Sequence, residues 1–474
     1  MQRLRSPALR PEAVPEPSAA IRRHPHPARG LGTSLPVWLL VLGVIMAPIL
    51  VPPTLTNAVP GDLVNLLLIL VSTALFWRYR VPLRVPLGMS YLLVLLGGIV
   101  ALTHSVAPSE AAVAIVQDAY LFVWFLVVVN LILVGGDRTA RLMALTWSVT
   151  GVAMALVVWV PTLWATPENL PLIFGYEMVD FFGRSMGTFR DPNLAGNYIA
   201  IALFVLWASP RPRSLVLKLL LTPLFLLAIQ STESITALAI LGGGAAVSVV
   251  LGLIAGRTAK MAATLTVVAL GVIVLASLPP DALGAGERVT QELGATETFG
   301  GSLGRTNTSL ELRVERWKEA LQLFGSETLV GIGPSTADEA LEARGAPVLG
   351  ELHMDYLAAL IERGVMGLIG VVSLFAVGLY WSLNVGTNSH LRRRGWRPPA
   401  LAGAMVCVLM SAVSLETLHF RHVWLLFALI IGLGLLTPAQ QARGTPTRTS
   451  RRILVALGAP PPGHTFTGAP DGPR

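Results

Sequence analysis

The sequence predicts an all-α polytopic membrane protein with about twelve transmembrane helices and a large extramembrane loop after the ninth. Hydrophobic residues make up 53% of the 474-residue chain and charged residues only 13%, about half the charged fraction of an ordinary soluble domain. Runs of about twenty apolar residues recur along the chain, as helices that cross a bilayer require. The basic residues gather in alternate connections between these runs.

The chain divides into five predicted segments. Residues 1–34 and 438–474 are rich in Pro and Arg, which predicts disordered tails. Residues 35–277 predict helices one to nine, residues 278–352 predict a loop domain, and residues 353–437 predict helices ten to twelve. The first apolar run is expected to remain as an uncleaved helix, because no small-residue cleavage site follows it. The single cysteine, Cys407, lies in an apolar run and is expected to be a buried hydrophobe.

The distribution of Lys and Arg predicts the orientation of the helices. The predicted spans are 35–51, 61–77, 85–103, 111–133, 141–162, 194–208, 214–230, 235–255, 261–277, 364–383, 400–415 and 422–437. If the N-terminus is cytoplasmic, the cytoplasmic loops and both tails hold 25 of the 35 Lys and Arg residues, as the positive-inside rule requires. We therefore expect both termini in the cytoplasm. The net charge of +8 then reflects topology, and no nucleic-acid partner is expected.

Two long segments lie on the predicted outer side. Residues 163–193 contain Arg184 and Arg190, and the much longer loop 278–352 contains the stretch "LELRVERWKEALQLF". That stretch predicts an amphipathic helix, with Arg313, Trp317, Ala320, Leu321 and Phe324 on one face and Glu315, Lys318, Glu319 and Gln322 on the other.

Arginines on the outer side are candidates for binding an anion. Arg313 heads the apolar face of the amphipathic helix, and Arg190 directly precedes "DPN", which predicts a helix start. A guanidinium suits phosphate geometry, and a helix N-terminus favours an anion. Arg184 and Arg316 are possible accessory residues. The alternatives are a snorkelling arginine packed on Trp317 and a surface ion pair of Arg190 with an acidic neighbour.

Other ionisable residues lie at or within the predicted spans. His353 precedes the tenth span and could act as a base, with Asp355 and Tyr356 near it. Asp118 is an intramembrane carboxylate and therefore a functional hypothesis. His419 and His422 with Glu416 allow a metal site, although a polar loop explains them more simply. No cofactor is expected, because the sequence contains no nucleotide-binding motif.

Outer arginines and a histidine beside membrane helices indicate a substrate with a lipid tail and a phosphate or diphosphate head. Where no ATP is present, a transferase needs a donor that is already activated on such a carrier. The arginines would neutralise the diphosphate, and the histidine would serve the hydroxyl that receives the transferred group.

The motifs in this part of the chain resemble those of the bacterial O-antigen ligase and polymerase superfamily. The resemblance rests on "RVERW" with Arg313 and Trp317, on "GIG" at 331–333, on "HMDYL" with His353 and on "ERGVMGLIG" at 362–370. An earlier element, "GTFRDPNLAGNY", contains Arg190. The resemblance covers roughly residues 184–375, and the order of the motifs is more specific than any one of them.

This resemblance implies a C-type glycosyltransferase-like membrane fold in the bacterial inner membrane. The donor would be a glycan on undecaprenyl diphosphate, and the acceptor a hydroxyl of a lipid A-core sugar or of another glycan, at the periplasmic face. Arg190 and Arg313 would bind the diphosphate. His353 would activate the acceptor in a metal-independent, inverting displacement.

Two positions depart from the family pattern and bear on the substrate class. Met354 follows the histidine, where many members have Asn or Ser. Ile235 follows Ser234 where many members have Arg, and Glu233 is the charged residue that remains there. The functions left open are a ligase, a repeat-unit polymerase for O-antigen or exopolysaccharide, a secondary transporter or flippase, and an assembly scaffold.

Overall fold

The fold consists almost entirely of helices. The computed structural model describes residues 35–51, 58–166, 169–180, 183–254, 315, 317–322, 325, 329–345 and 352–436. The α-helices, numbered here in chain order, are α1 Leu35–Met46, α2 Pro60–Arg78, α3 Gly88–Leu102, α4 Pro108–Gly135, α5 Asp137–Trp159, α6 Pro192–Ala208, α7 Leu215–Ser231, α8 Ile235–Ile254, α9 Ala337–Ala343, α10 Asp355–Thr387, α11 Ser389–Arg393, α12 Pro399–Ser411 and α13 Arg421–Leu435. A small hairpin, β1 Leu172–Ile173 and β2 Tyr176–Glu177, lies between α5 and α6.

The apolar helices coincide with eleven of the twelve predicted spans. Five of them, α2, α4, α5 (with the turn that continues it to Leu163), α8 and α10, are long and apolar enough to cross a membrane. Helices α1, α3, α6, α7, α12 and α13 are shorter but also apolar. The predicted ninth span, 261–277, lies outside the described residues, so the count of twelve and the place of the large loop stay predictions.

Hydrogen bonds at and beyond the helix ends define two ends of the helix bundle. At one end, the backbone N–H of Leu50 donates to the carbonyl of Thr188 at 3.1 Å. The hydroxyl of Ser105 at the same end donates to that of Thr336 at 3.3 Å. At the other end, the Arg141 guanidinium donates to the carbonyl of Arg394 at 2.8 Å. We call the first the site end, because the predicted site residues lie there. We call the second the basic end, because it contains the loops rich in Arg and Lys that the positive-inside rule assigns to the cytoplasm.

Helix α10 begins nine residues before the predicted tenth span and is broken at Gly364. This glycine has φ 67° and ψ −171°, a conformation that is essentially restricted to glycine. The backbone amides of Ile332 and Gly333 donate to the carbonyls of Ile361 and Glu362 at 3.1 and 3.0 Å. The "GIG" turn therefore uses carbonyls that an unbroken helix would have bonded internally. The break holds the first turns of α10, which follow His353, against the extramembrane loop.

Replacing Gly364 by alanine should destabilise the protein strongly. A Cβ there would lie 2.6 Å from the carbonyl oxygen of Leu329 and 2.6 Å from the carbonyl carbon of Val330, in addition to a conformational cost of about 1–3 kcal/mol. Gly242→Ala in α8 is the matched control, because nothing lies within 4 Å of its Cβ position. Thermal denaturation in detergent should show a large drop for Gly364→Ala alone. Equal denaturation midpoints for the two variants would contradict this role of the break.

Candidate functional site

Three of the predicted site residues share an unusual backbone conformation. Arg190, Glu233 and His353 have φ values of 65°, 48° and 51°, in the left-handed region that non-glycine residues seldom occupy. Each lies two residues ahead of the first residue of a helix: Arg190 before α6, Glu233 before α8 and His353 before α10. Strained backbone of this kind concentrates at functional sites.

Side-chain hydrogen bonds bring the starts of α6 and α8 together with the end of α12. Ser234 Oγ donates to Asn193 Oδ1 at 2.8 Å, which joins α8 to α6. Asn197 Nδ2 donates to Ser411 Oγ at 2.7 Å, which joins α6 to α12. The hydroxyl of Ser414, just past the end of α12, donates to that of Thr236 in α8 at 3.3 Å.

The start of α10 joins the same group of helix ends. The backbone N–H of Asp355 donates to the carbonyl of Ala412, just past the end of α12, at 2.9 Å. Residues next to Arg190, Glu233 and His353 are thus joined through the end of α12 at the site end. Each of the three residues also lies just ahead of a helix N-terminus, which carries partial positive charge.

Arg190 and Arg184 have different surroundings. Arg190 is exposed, and among the described residues it forms no ion pair. The carboxylate of its neighbour Asp191 instead accepts the amide of Leu194 at 2.9 Å as the cap of α6. Arg184 is paired with Asp180 at 2.8 Å. Arg190 is thus available to a ligand, while Arg184 holds a turn of its own loop.

Trp317, in the predicted loop domain, contacts the residue next to His353. Residues 317–322 are helical, and the Trp317 indole N–H donates to the carbonyl of Leu352 at 2.8 Å. Trp317 and the buried Ala320 face inward, as predicted, whereas Leu321 is 44% exposed and does not share that inward face. The predicted site residues Arg313 and Arg316 lie outside the described residues.

Asp355 and Tyr356 support the fold around His353. The buried Asp355 carboxylate accepts the Thr417 amide at 2.9 Å and the Leu418 amide at 3.3 Å. It also accepts the Thr417 hydroxyl at 2.5 Å, so it holds the loop between α12 and α13. Tyr356 packs edge-on against Phe375, with ring centroids 5.7 Å apart. Their accessory role at His353 stays a prediction.

Asp118 lines a polar cavity at the site end. Its carboxylate is paired with Arg363 of α10 at 2.7 Å. The cavity is lined by Tyr91, Val94, Asp118, Asp355, Ala358, Ala359, Glu362, Arg363, Val371, Leu374, Glu416, Leu418, His419 and Trp424. Sequence reasoning singled out Asp118 but missed its partner. Arg363 lies between Glu362 and Gly364 in the "ERGVMGLIG" motif. A charged residue at the edge of an apolar run could have been identified from the sequence as a candidate partner for Asp118.

His419 and His422 do not share a site. His422 Nε2 lies 2.7 Å from Asn197 Oδ1 in the interior of the helix bundle. His419 Nδ1 instead lies 3.8 Å from Asp118 Oδ1, and its Nε2 lies 3.8 Å from Glu416 Oε2. The metal site that the sequence allowed for these two histidines and Glu416 is therefore not formed. His419 belongs to the cavity, and His422 belongs to the polar contacts that join α6 to α13.

Helix α9 and the turn before it, which belong to the predicted loop domain, lie close to this cavity. The Glu362 carboxylate accepts the amide of Ser335 at 2.8 Å. Partial burial raises the pKa of Glu339 in α9, and a hydrogen bond with the carboxylate of Glu110 at the start of α4 raises it further. The raised pKa of Glu339 means that this contact is weaker when Glu339 is ionised.

The apolar helices indicate a multi-pass membrane protein, with a cavity lined by several carboxylates at one end. Residues 219–372 match the family model described as O-Antigen ligase. The matched region contains most of α7, all of α8 and α9 and the first part of α10, with Glu233 and His353. Within these residues the chain is similar to the O-antigen ligase and polymerase superfamily, whose members are membrane glycosyltransferase-like ligases and polymerases. No curated protein matches the chain.

Proposed function

We propose that the protein is an O-antigen ligase-like glycosyltransferase. It moves a glycan from undecaprenyl diphosphate to an acceptor hydroxyl, on a lipid A-core sugar or a similar acceptor, at the periplasmic face of the inner membrane. The observation that carries the proposal is that Arg190 and His353, both in left-handed conformation, precede two helices that are joined through the end of α12, and that His353 lies within the matched residues.

In this mechanism, His353 and the arginines act on opposite sides of the reacting carbon. The acceptor oxygen attacks the anomeric carbon, and His353 takes the proton of the acceptor hydroxyl. The bond from the anomeric carbon to the diphosphate oxygen breaks, and undecaprenyl diphosphate leaves with the electron pair. Arg190, the helix N-termini and Arg313 stabilise the negative charge of the leaving group. Attack opposite the leaving group inverts the anomeric centre, and the step requires no metal.

The placement of ionisable groups favours transfer over transport. Transporters bind their substrates near the midplane, at interrupted helices. Here α10 is interrupted at Gly364, but the break joins the loop domain at the site end. Arg190 and His353 belong to loops at that same end. These positions suit chemistry on a headgroup at the membrane surface.

A deletion strain tests the proposed function. Loss of the gene should leave lipopolysaccharide core without any attached O-chain, and the intact gene should restore the full ladder on a gel. Core with one single repeat would instead assign the protein as a repeat-unit polymerase of the same superfamily. Unchanged lipopolysaccharide and unchanged exopolysaccharide would contradict both assignments.

A further inference from the structure

We infer that the hairpin of β1 and β2 inserts its tip into the membrane leaflet at the site end, where its apolar side chains contact lipid. The hairpin lies between α5 and α6, in the predicted outer segment 163–193. Its side chains take no part in the proposed reaction, so this contact with lipid does not depend on glycan transfer.

The tip of the hairpin presents exposed apolar side chains. Phe174 and the glycine after it form the turn, with φ values of 51° and 82°, as in the two-residue turns that hairpins favour. Phe174 is 69% exposed and Tyr176 is 37% exposed. Glu177 is the one charged residue in 169–179, and it pairs with Leu172 at the end of the hairpin away from the turn. Apolar groups at the tip and a charge behind it suit insertion with the tip first.

The base of the hairpin is fixed to the protein. The amide of Met178, directly after β2, donates to the carbonyl of Pro171 at 2.8 Å. The carbonyl of Met178 accepts the amides of Met186 and Gly187, both at 2.9 Å. Met178 and Pro171 are buried. The hairpin is therefore held with its tip turned outward, and an exposed apolar surface of this kind marks a contact with a partner or with a membrane.

The lipid-facing side of α5 leads directly to this hairpin. Helix α5 and the turn that continues it form a candidate membrane span that ends at Leu163. Val149, Leu156 and Leu163 are 62%, 42% and 46% exposed, and their spacing of seven residues, nearly two helical turns, places them on one side. Trp164 follows and is 53% exposed, and Trp is typical of the membrane interface. The exposed surface of the hairpin therefore continues a surface that faces lipid.

The length of α5 brings this end of the helix to the membrane surface. Its 23 residues extend over about 34 Å, and the hydrocarbon core of a bilayer is about 30 Å thick. Residues 160–179 contain no Lys or Arg, so the contact is apolar and does not require anionic headgroups. The hairpin has only two residues in each strand, and it therefore stays close to this level.

Insertion of the tip would also set the height of Arg190. Gly187, whose amide bonds to Met178, is three residues before Arg190, and Thr188 accepts the amide of Leu50 at 3.1 Å. A hairpin held in the leaflet would thus keep this segment near the lipid headgroups. The value of that position for catalysis rests on the proposed function.

Site-directed spin labelling of the full-length protein in nanodiscs of phosphatidylethanolamine and phosphatidylglycerol tests the inference. Cys407 is the only cysteine and is buried, so one introduced cysteine takes the label. The variants are Phe174→Cys, Tyr176→Cys and the matched control Glu177→Cys. Collisions of the label with oxygen, which concentrates in lipid, are compared with collisions with a water-soluble nickel chelate. The ratio of oxygen to nickel collisions should be severalfold higher at 174 and 176 than at 177.

The label at 176 provides a reading from regular strand backbone, since Phe174 has positive φ. Labels at 174 and 176 that meet the nickel chelate as often as the label at 177 would overturn the inference. Few collisions with either reagent would also overturn it, because the tip would then be covered by protein, such as a second copy of the chain. The measurement needs no substrate. An inserted tip in a protein that transfers no glycan would therefore count against the proposed function alone.

Discussion

Replacing His353 by asparagine should lower glycan transfer by at least about 100-fold, the lower range of what a general base contributes. Asparagine cannot take a proton from the acceptor hydroxyl at neutral pH. It does tolerate left-handed backbone better than most residues, so the φ of 51° at this position need not change. His353→Ala should abolish transfer as well, but it combines loss of the base with backbone strain.

The control for this experiment is a histidine at the same end of the molecule. His104 is exposed between α3 and α4, and its ring contacts Thr103. His104→Asn should transfer glycan at the wild-type rate. Transfer is measured with purified variants in nanodiscs, and thermal denaturation confirms that each is folded. Wild-type activity in His353→Asn would remove His353 from the mechanism.

Replacing Arg363 by leucine should destabilise the protein by about 3–5 kcal/mol, because the variant leaves the buried charge of Asp118 without its partner. The pair is well shielded, since both side chains are at most 10% exposed. The double variant Asp118→Leu, Arg363→Leu removes both charges. It should recover most of the lost stability, because an apolar replacement of a buried pair is often neutral.

A surface pair supplies the comparison. Arg184 and Asp180 are 2.8 Å apart, with side chains 31% and 17% exposed. Arg184→Leu should therefore cost only about 0–1 kcal/mol. The free energies of unfolding of Arg363→Leu, the double variant and Arg184→Leu, measured in the same detergent, rank the three losses of stability. If Arg363→Leu and Arg184→Leu lose the same stability, the pair in the cavity is not a buried ion pair of the kind described.

The membrane helices could be predicted because their signal is local. A bilayer requires about twenty apolar residues in a row, and that requirement can be read from composition alone. The start of α10 was missed for a related reason. Asp355, Glu362 and Arg363 are ionisable, so the predicted span begins only at 364. In the structure these side chains are buried. Their charged groups bond to Thr417, Ser335 and Asp118, respectively.

The candidate site could be predicted only in part. His353, Arg190 and Glu233 were chosen by residue type and motif, and no residue pattern indicated that all three adopt left-handed backbone, since none is glycine or asparagine. Tyr91 carried no signal at all, because an apolar run containing one tyrosine is ordinary in a membrane helix. The pairing of Asp118 with Arg363 joins distant parts of the chain, and such pairs depend on tertiary structure.

The central claim is that this protein transfers a glycan from a lipid diphosphate. The most direct measurement is the fate of undecaprenyl-diphosphate-linked glycan mixed with the purified protein and an acceptor in nanodiscs, without any nucleotide. We expect free undecaprenyl diphosphate to appear together with acceptor that carries the glycan. Lipid-linked glycan that stays intact in the presence of a competent acceptor would contradict the claim.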